Sequence, residues 1–258
     1  MSARNDIVPM FGMEFSRATL SEATRAILAL VGEGNADMIV TPNVDHIVTM
    51  ERDQHMRQVF KSARYRFADG MPLVWLSRVR YRDGLPERVT GADLLFSVAE
   101  GAVAHSASIF LLGAQPGVAT TAADKLVGKY PGLTVCGTYS PPFGFERDEA
   151  MSRQIVAMVN AAAPNILFIG VGTPKQEKWA HRWRDELTCD VILGVGAAID
   201  FAAGTARRAP RLVQKSGFEW MWRIASDPKR LLPRYFNDRK FFGLALRELG
   251  NGFRRPGV

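Results

Sequence analysis

Six short apolar runs, rich in β-branched residues, are separated by longer segments with helical spacing, and this rhythm restricts the chain more than any other feature. The runs are 37–41 (DMIVT), 65–69 (YRFAD), 108–113 (SIFLLG), 133–139 (LTVCGTY), 165–172 (NILFIGVG) and 191–196 (VILGVG). Helical spacing occupies 20–31, 46–62, 91–104, 116–129, 148–162 and 174–187. A helix between consecutive strands is the connection that parallel neighbours need. Strands that read as continuous apolar runs are those covered on both faces. The pattern therefore predicts an α/β, Rossmann-like, mostly parallel sheet with helices on both faces. At 258 residues the chain can bury one large core.

In open parallel sheets ligands bind beyond the carboxyl ends of the strands. The residues that follow the runs are Thr41 to Asn43, Asp69 and Gly70, Gly113 to Gly117, Gly170 to Gln176, and Gly194 to Asp200. Asp69 is a carboxylate aimed at that edge; the alternative is a cap for a helix beginning near Met71. Two strands end in G-x-G, and Gly172 and Gly196 there can let backbone amides approach a phosphate, or simply serve tight turns and close packing. The dinucleotide fingerprint needs a third glycine where Lys175 and Ile199 stand, so NAD is disfavoured. After Pro174, Lys175 or Gln176 can face a ligand, with Glu177 and Lys178 toward water. Asp200, among apolar neighbours, calls for a hydrogen-bonding partner or a ligand.

The two cysteines, Cys136 and Cys189, form no C-x-x-C, which argues against a disulfide framework and a cysteine zinc site and suits a reducing cytoplasm. The four histidines (His46, His55, His105 and His181) show no paired spacing, and neither D-x-D nor G-x-S-x-G occurs. No metal or cofactor is expected, and a serine hydrolase loses support. The N-terminus lacks the features of a secretory signal, and the longest charge-free run, 101–123, is broken by Gly113, Pro116 and Gly117. A soluble or peripheral protein is expected.

The formal charge of +7 is unevenly placed: residues 205–258 hold 13 Lys and Arg against 4 Asp and Glu, and the remainder is close to neutral. Strand alternation stops near Gly204, so the chain divides into a core, 1–204, and a basic, aromatic, helical appendage, 205–258. Arg207 and Arg208, with Arg223, Arg230 and Arg234, offer guanidinium forks suited to a diphosphate, or form a solvated basic face. Leu231, Leu232, Tyr235, Phe236, Phe242, Leu246 and Leu249 recur at helical spacing opposite Arg230, Arg234 and Lys240. Such a helix can lie on an anionic membrane or pack on its own core.

Seven segments, TPNVDHIV, ADGMPLVW, ERVTGADL, SPPFG, FIGVGTPKQEKWA, GVGAAIDFAAGTARRAP and GFEWMWRIASDPKRLLPRY, stand in an order and spacing that resemble the WecG/TagA/CpsF glycosyltransferases. The likeness runs from about residue 9 to about residue 240. It implies inverting transfer of a sugar from a UDP-sugar to a saccharide carried on polyprenyl diphosphate, at the cytoplasmic face of the membrane. The resemblance places the catalytic Asp on Asp69, which would act as the base that takes the acceptor hydroxyl's proton. Substrate contacts by the resemblance fall on Thr41, Arg88, Gln176 and Asp200, and diphosphate contacts on Arg223, Arg230 and Arg234, while Asn43 joins the substrate contacts as a strand-end residue beside Thr41. Pro42, after Thr41, stands where small residues are common.

The expected function is thus transfer of a hexose or N-acetylhexosamine, of N-acetylmannosamine type or glucose, in exopolysaccharide or cell-wall polymer synthesis. The expected partners are the UDP-sugar, the lipid-linked saccharide and an anionic membrane surface, with a homo-oligomer left open. Two other classes would use parts of the same sequence. A nucleotide-cofactor oxidoreductase would use the G-x-G turns, but lacks the third glycine. A nucleic-acid-binding protein would use the basic tail, but no RNP, zinc-finger or helix-turn-helix signature is present, so no nucleic-acid partner is expected.

Overall fold

The apolar runs become strands because alternate residues can be buried on opposite faces of one sheet. The computed structural model of the chain describes residues 7–210, 213, 221, 222 and 238–252. After a hairpin of β1 (Ile7–Met10) and β2 (Met13–Ser16) come α1 (Leu20–Leu28), β3 (Asp37–Val40), α2 (Val44–Met50), α3 (Gln54–Ser62), β4 (Tyr65–Arg66), α4 (Met71–Arg80) and α5 (Gly91–Ala104). The chain continues through β5 (Ser108–Gly113), α6 (Val118–Lys129), β6 (Thr134–Tyr139), α7 (Glu149–Ala162), β7 (Ile166–Gly170), α8 (Lys175–Trp183), β8 (Val191–Gly194), α9 (Ala198–Ala203) and α10 (Lys240–Gly252).

Six strands form one parallel sheet in the order β4-β3-β8-β7-β5-β6. Along β5, Ile109 and Leu111 join one hydrophobic cluster, while Phe110 and Leu112 join the other. The first cluster packs under α1, α5, α6 and α9. The second packs under the hairpin, α2, α3, α4, α7, α8 and α10. This is the Rossmann-like sheet, covered on both faces, that the alternation predicts.

Two differences from the sequence reading have local causes. The segment 46–62 is two helices, because Asp53 accepts from Met56 N–H at 2.9 Å and starts a new helix. The N-terminal hairpin went unread: Val8, Met10, Met13 and Phe15 alternate inward about a turn at Phe11 and Gly12, with φ of +53° and +70°. At the other end α10 docks on the core. Phe241 is buried with its ring 5.7 Å from Phe11, Leu244, Ala245 and Leu249 pack beside it, and Glu248 ion-pairs with Arg80. Phe242 and Leu246, one turn apart, face outward at 72% and 70% exposure.

Candidate active site

The helix after β3 and the helix after β7 go to one face of the sheet, and those after β5 and β8 go to the other. Chains that part in opposite directions from neighbouring strands leave crevices at the carboxyl edge, and here they lie on both sides of β8 and again between β7 and β5.

On the β4 side the backbone does the bonding. The ladder between β3 and β4 continues past the strands, with Phe67 N–H donating to Val40 O at 3.0 Å and Asp69 N–H to Pro42 O at 2.8 Å. Thr41, Pro42 and Asp69 are thereby held together as an extension of the sheet. Val89 N–H donates to Ala68 O at 2.9 Å, which brings Arg88 alongside the same segment. Thr41 is 9% exposed and Asp69 is half-buried. α4 begins at Met71 with Gly70, at φ +133°, in the cap position, so Asp69 stands one residue before the cap.

The next segment of the edge is the start of α5. Thr90 caps this helix, accepting from Asp93 N–H at 3.0 Å and donating its hydroxyl to Asp93 Oδ2 at 2.8 Å. Gly91 follows because a Cβ there would lie 3.1 Å from Val195 Cα and 3.2 Å from Gly194 O, so the helix end presses on the β8 turn. Arg208 closes the arrangement, its Nη1 2.5 Å from Asp93 Oδ1 and its Nη2 3.0 Å from Asp93 Oδ2. The guanidinium read as a fork for a diphosphate is therefore committed to Asp93. Burial pushes the Asp93 carboxyl up, yet the Arg208 hydrogen bond and charge, the Thr90 hydroxyl and the charge of Arg88 outweigh it and hold the group below its ordinary value. The described run that ends at Pro210 is thus tied, through Arg208, to the start of α5.

On the β7 and β8 side, side chains do the bonding. Gln176 is 4% exposed, and its Oε1 accepts from Gly172 N–H and from Gly196 N–H, each at 3.2 Å. One carboxamide joins the two G-x-G turns. Its Nε2 donates to Glu177 Oε1 at 2.8 Å, and Glu177 also accepts from the Thr173 hydroxyl at 3.0 Å. Glu177, expected to face water, is 4% exposed. Thr173 Oγ1 lies 2.8 Å from His46 Nε2, and His46 Nδ1 accepts from Asn43 N–H at 3.0 Å. The Asn43 side chain accepts in turn from His46 N–H at 3.1 Å, capping α2.

The glycines divide by role. A Cβ on Gly113 would lie 2.5 Å from Gly170 C and O, one on Gly170 2.7 Å from Gly196 O, and one on Gly194 2.9 Å from Gln176 Nε2. Those three permit close packing. Gly172 and Gly196, with φ of +86° and +53°, have open space around the Cβ position and permit the turn itself. Asp200 is half-buried in the first turn of α9, and its carbonyl accepts from Thr205 N–H at 3.1 Å and Ala206 N–H at 3.3 Å. Above the edge, Ser140 donates to Gly113 O at 3.2 Å and anchors the SPPFG loop, where Lys175 Nζ lies 4.7 Å from the ring centre of Phe143. Phe143 is 96% exposed.

Thr41, Asn43, Asp69, Arg88, Gly172, Gln176, Gly196 and Asp200 all lie on this one edge. Arg223, Arg230 and Arg234 lie outside the described residues. His46, Thr173 and Glu177 escaped the sequence reading. Their signals are faint: a histidine three residues after a capping Asn, and a threonine before proline. Among the described residues, no three His, Cys, Asp or Glu are grouped so as to hold a metal ion, and no helix is long and apolar enough to cross a membrane. The family model described as the glycosyl transferase WecG/TagA/CpsF family matches residues 8–255, nearly the whole chain, and the protein belongs to this family of polysaccharide-building glycosyltransferases.

Proposed function

We propose that the protein transfers a hexose or N-acetylhexosamine from a UDP-sugar to a saccharide carried on polyprenyl diphosphate, with inversion at the anomeric carbon and without a metal. Asp69 is the general base. Its carboxylate takes the proton of the acceptor hydroxyl, the hydroxyl oxygen attacks the anomeric carbon from the face opposite UDP, and the bond to the diphosphate oxygen breaks with its electron pair leaving on UDP. Thr41, Asn43 and Arg88 line the same side of the edge and orient the sugar. The edge at the two glycine turns, with Asp200, receives the nucleotide, and Gln176 holds those turns in place for it. Arg223, Arg230 and Arg234 stabilise the departing diphosphate by charge-assisted hydrogen bonds.

The observation that carries this reading is the placement of Asp69. It is half-buried, bonded through its N–H to Pro42 beside Thr41, and outside the cap position that would otherwise explain an acid there. The tie between Arg208 and Asp93 supports the part given to the appendage, because it starts that segment at the rim of the edge. The outward Phe242 and Leu246 of α10 support a peripheral position on the cytoplasmic membrane surface, where apolar side chains and a basic segment attract anionic lipid.

The test is a UDP-release screen of UDP-sugars against a synthetic lipid-diphosphate saccharide, with the product's anomeric configuration read by NMR. Release that depends on acceptor, with an inverted product, is expected. A product of retained configuration would overturn the base assigned to Asp69, and release from none of the UDP-sugars would overturn the donor class.

A further inference from the structure

Five polar groups beneath the two glycine turns form a chain of hydrogen bonds whose direction can be worked out from donors and acceptors alone. A backbone N–H only donates, so the bond from Asn43 N–H at 3.0 Å makes His46 Nδ1 an acceptor without a proton. The neutral ring then carries its proton on Nε2 and donates it to Thr173 Oγ1 at 2.8 Å. Thr173 has one proton of its own, which goes to Glu177 Oε1 at 3.0 Å. That oxygen also accepts from Gln176 Nε2 at 2.8 Å, and the Gln176 carbonyl is left facing the amides of Gly172 and Gly196, each at 3.2 Å. Reversing the Gln176 amide would set an NH₂ group against two N–H donors. Every member is thereby held in one orientation by the next.

The chain also spans the edge. Asn43 follows β3, Thr173 and Gln176 follow β7, and Gly196 follows β8. His46, 6% exposed with its ring 5.2 Å from that of Phe60, is packed in place at one end. We propose that His46 is a positioning residue for the transfer: through Thr173 and Glu177 it fixes the Gln176 carboxamide, and with it the distance between the acceptor side of the edge and the two turns that receive the donor. This assignment rests on the transferase reading above. Reacting groups displaced by about 1 Å can lose on the order of 100-fold in rate, so a group that fixes this separation acts on turnover without touching substrate.

The experiment uses Thr173, whose hydroxyl can be removed at nearly constant shape. Thr173→Val should lower kcat by about 10- to 100-fold in a protein that stays folded, its melting temperature lowered by loss of the bonds to His46 and Glu177. Thr173→Ser, which keeps the hydroxyl, should recover most of the rate. Unchanged kcat in Thr173→Val, or equal impairment in both variants, would overturn the proposal. A second readout is independent of turnover: side-chain ¹⁵N–¹H correlation spectra, with His46 assigned by its loss in His46→Gln. A neutral ring protonated at Nε2 is expected, shifting in Thr173→Val. A proton on Nδ1, or an imidazolium at neutral pH, would overturn the chain's direction. If the unmodified protein transfers no sugar, the positioning role falls with the transferase reading, and the spectrum still decides whether the chain of bonds exists.

Discussion

The two sides of the sheet's carboxyl edge are built by different means. On the β4 side, backbone groups hold Thr41, Pro42, Asp69 and Arg88 in register. The bond between residue 69 N–H and Pro42 O survives a change of side chain. On the β7 and β8 side, Gln176, Glu177 and Thr173 are themselves the fastening between turns, and closely packed glycines complete it. The difference teaches where to look for chemistry and where for geometry. Substitutions on the first side should remove a step and leave the fold, whereas those on the second should loosen the fold or misplace the donor.

The largest effect expected from this contrast is at Asp69. Asp69→Asn keeps the size of the side chain and leaves the bond between residue 69 N–H and Pro42 O in place, but the amide cannot take the acceptor's proton. Turnover should fall by roughly 10²- to 10⁴-fold, or about 3 to 5 kcal/mol in barrier height, with UDP affinity and melting temperature nearly unchanged. Near-normal kcat in a well-folded Asp69→Asn protein would remove the base from this side of the edge.

Gly113→Ala should do the reverse. The added methyl would lie 2.5 Å from Gly170 backbone atoms, at a φ of +133° that alanine tolerates poorly. Overpacking and backbone strain together should cost about 2 to 5 kcal/mol, read as a lower urea midpoint or melting temperature. Gly172→Ala is the control. Its φ is +86° but nothing lies within 4 Å of the new methyl, so only the strain of about 1 to 2 kcal/mol applies. Equal losses at the two positions would mean that close packing at the strand ends is not what selects glycine there.

The same contrast explains what could be read from the sequence. Strand alternation was legible because burial on two faces forces apolar residues at every position, as in Ile166 to Ile169. The candidate residues were legible because topology alone carries strand ends to one edge. The N-terminal hairpin was not, because its turn uses Phe11 at φ +53° in place of the Asn or Asp that usually marks such a turn. Nor was the bonding of Glu177 and Arg208. A charged residue near a helix start reads as solvated unless its partner is known, and those partners are 4 residues away in Thr173 and 115 away in Asp93. The pairing of Arg208 with Asp93 leaves no local pattern, and the bond between Glu177 and Thr173, though local, reaches back across the start of α8 to a residue before the helix.

A smaller effect is expected at the tie between Arg208 and the start of α5. Asp93→Asn leaves Arg208 part-buried beside a neutral amide, which should cost about 2 kcal/mol at neutral pH. The sign with pH follows from the direction of the shift. The carboxyl is held below its ordinary value, so its stabilising contribution is complete above the unfolded pKa of about 3.9 and is lost as the pH falls through the lower folded value. Melting temperatures of the unmodified and Asp93→Asn proteins should therefore differ at pH 7 and converge below about pH 4. A gap that persists undiminished at acid pH would mean that packing around Arg208, rather than the charge of Asp93, ties Arg208 to α5.

The smallest effect expected is none, on adding EDTA. A divalent ion at a diphosphate is ordinarily held by closely placed carboxylates, and the sequence has no D-x-D. Asp69 extends the ladder with β3, Asp200 belongs to the first turn of α9 after β8, and among the described residues no three His, Cys, Asp or Glu are grouped so as to hold a metal ion. If guanidinium groups carry the charge of the departing UDP, chelation leaves kcat and KM within experimental error. Turnover abolished by EDTA and restored by magnesium or manganese would recast Asp69 as a metal ligand. In that case Asp69→Asn should weaken the metal dependence rather than simply lower the rate, so titrating metal into both proteins distinguishes a base from a ligand at the same residue.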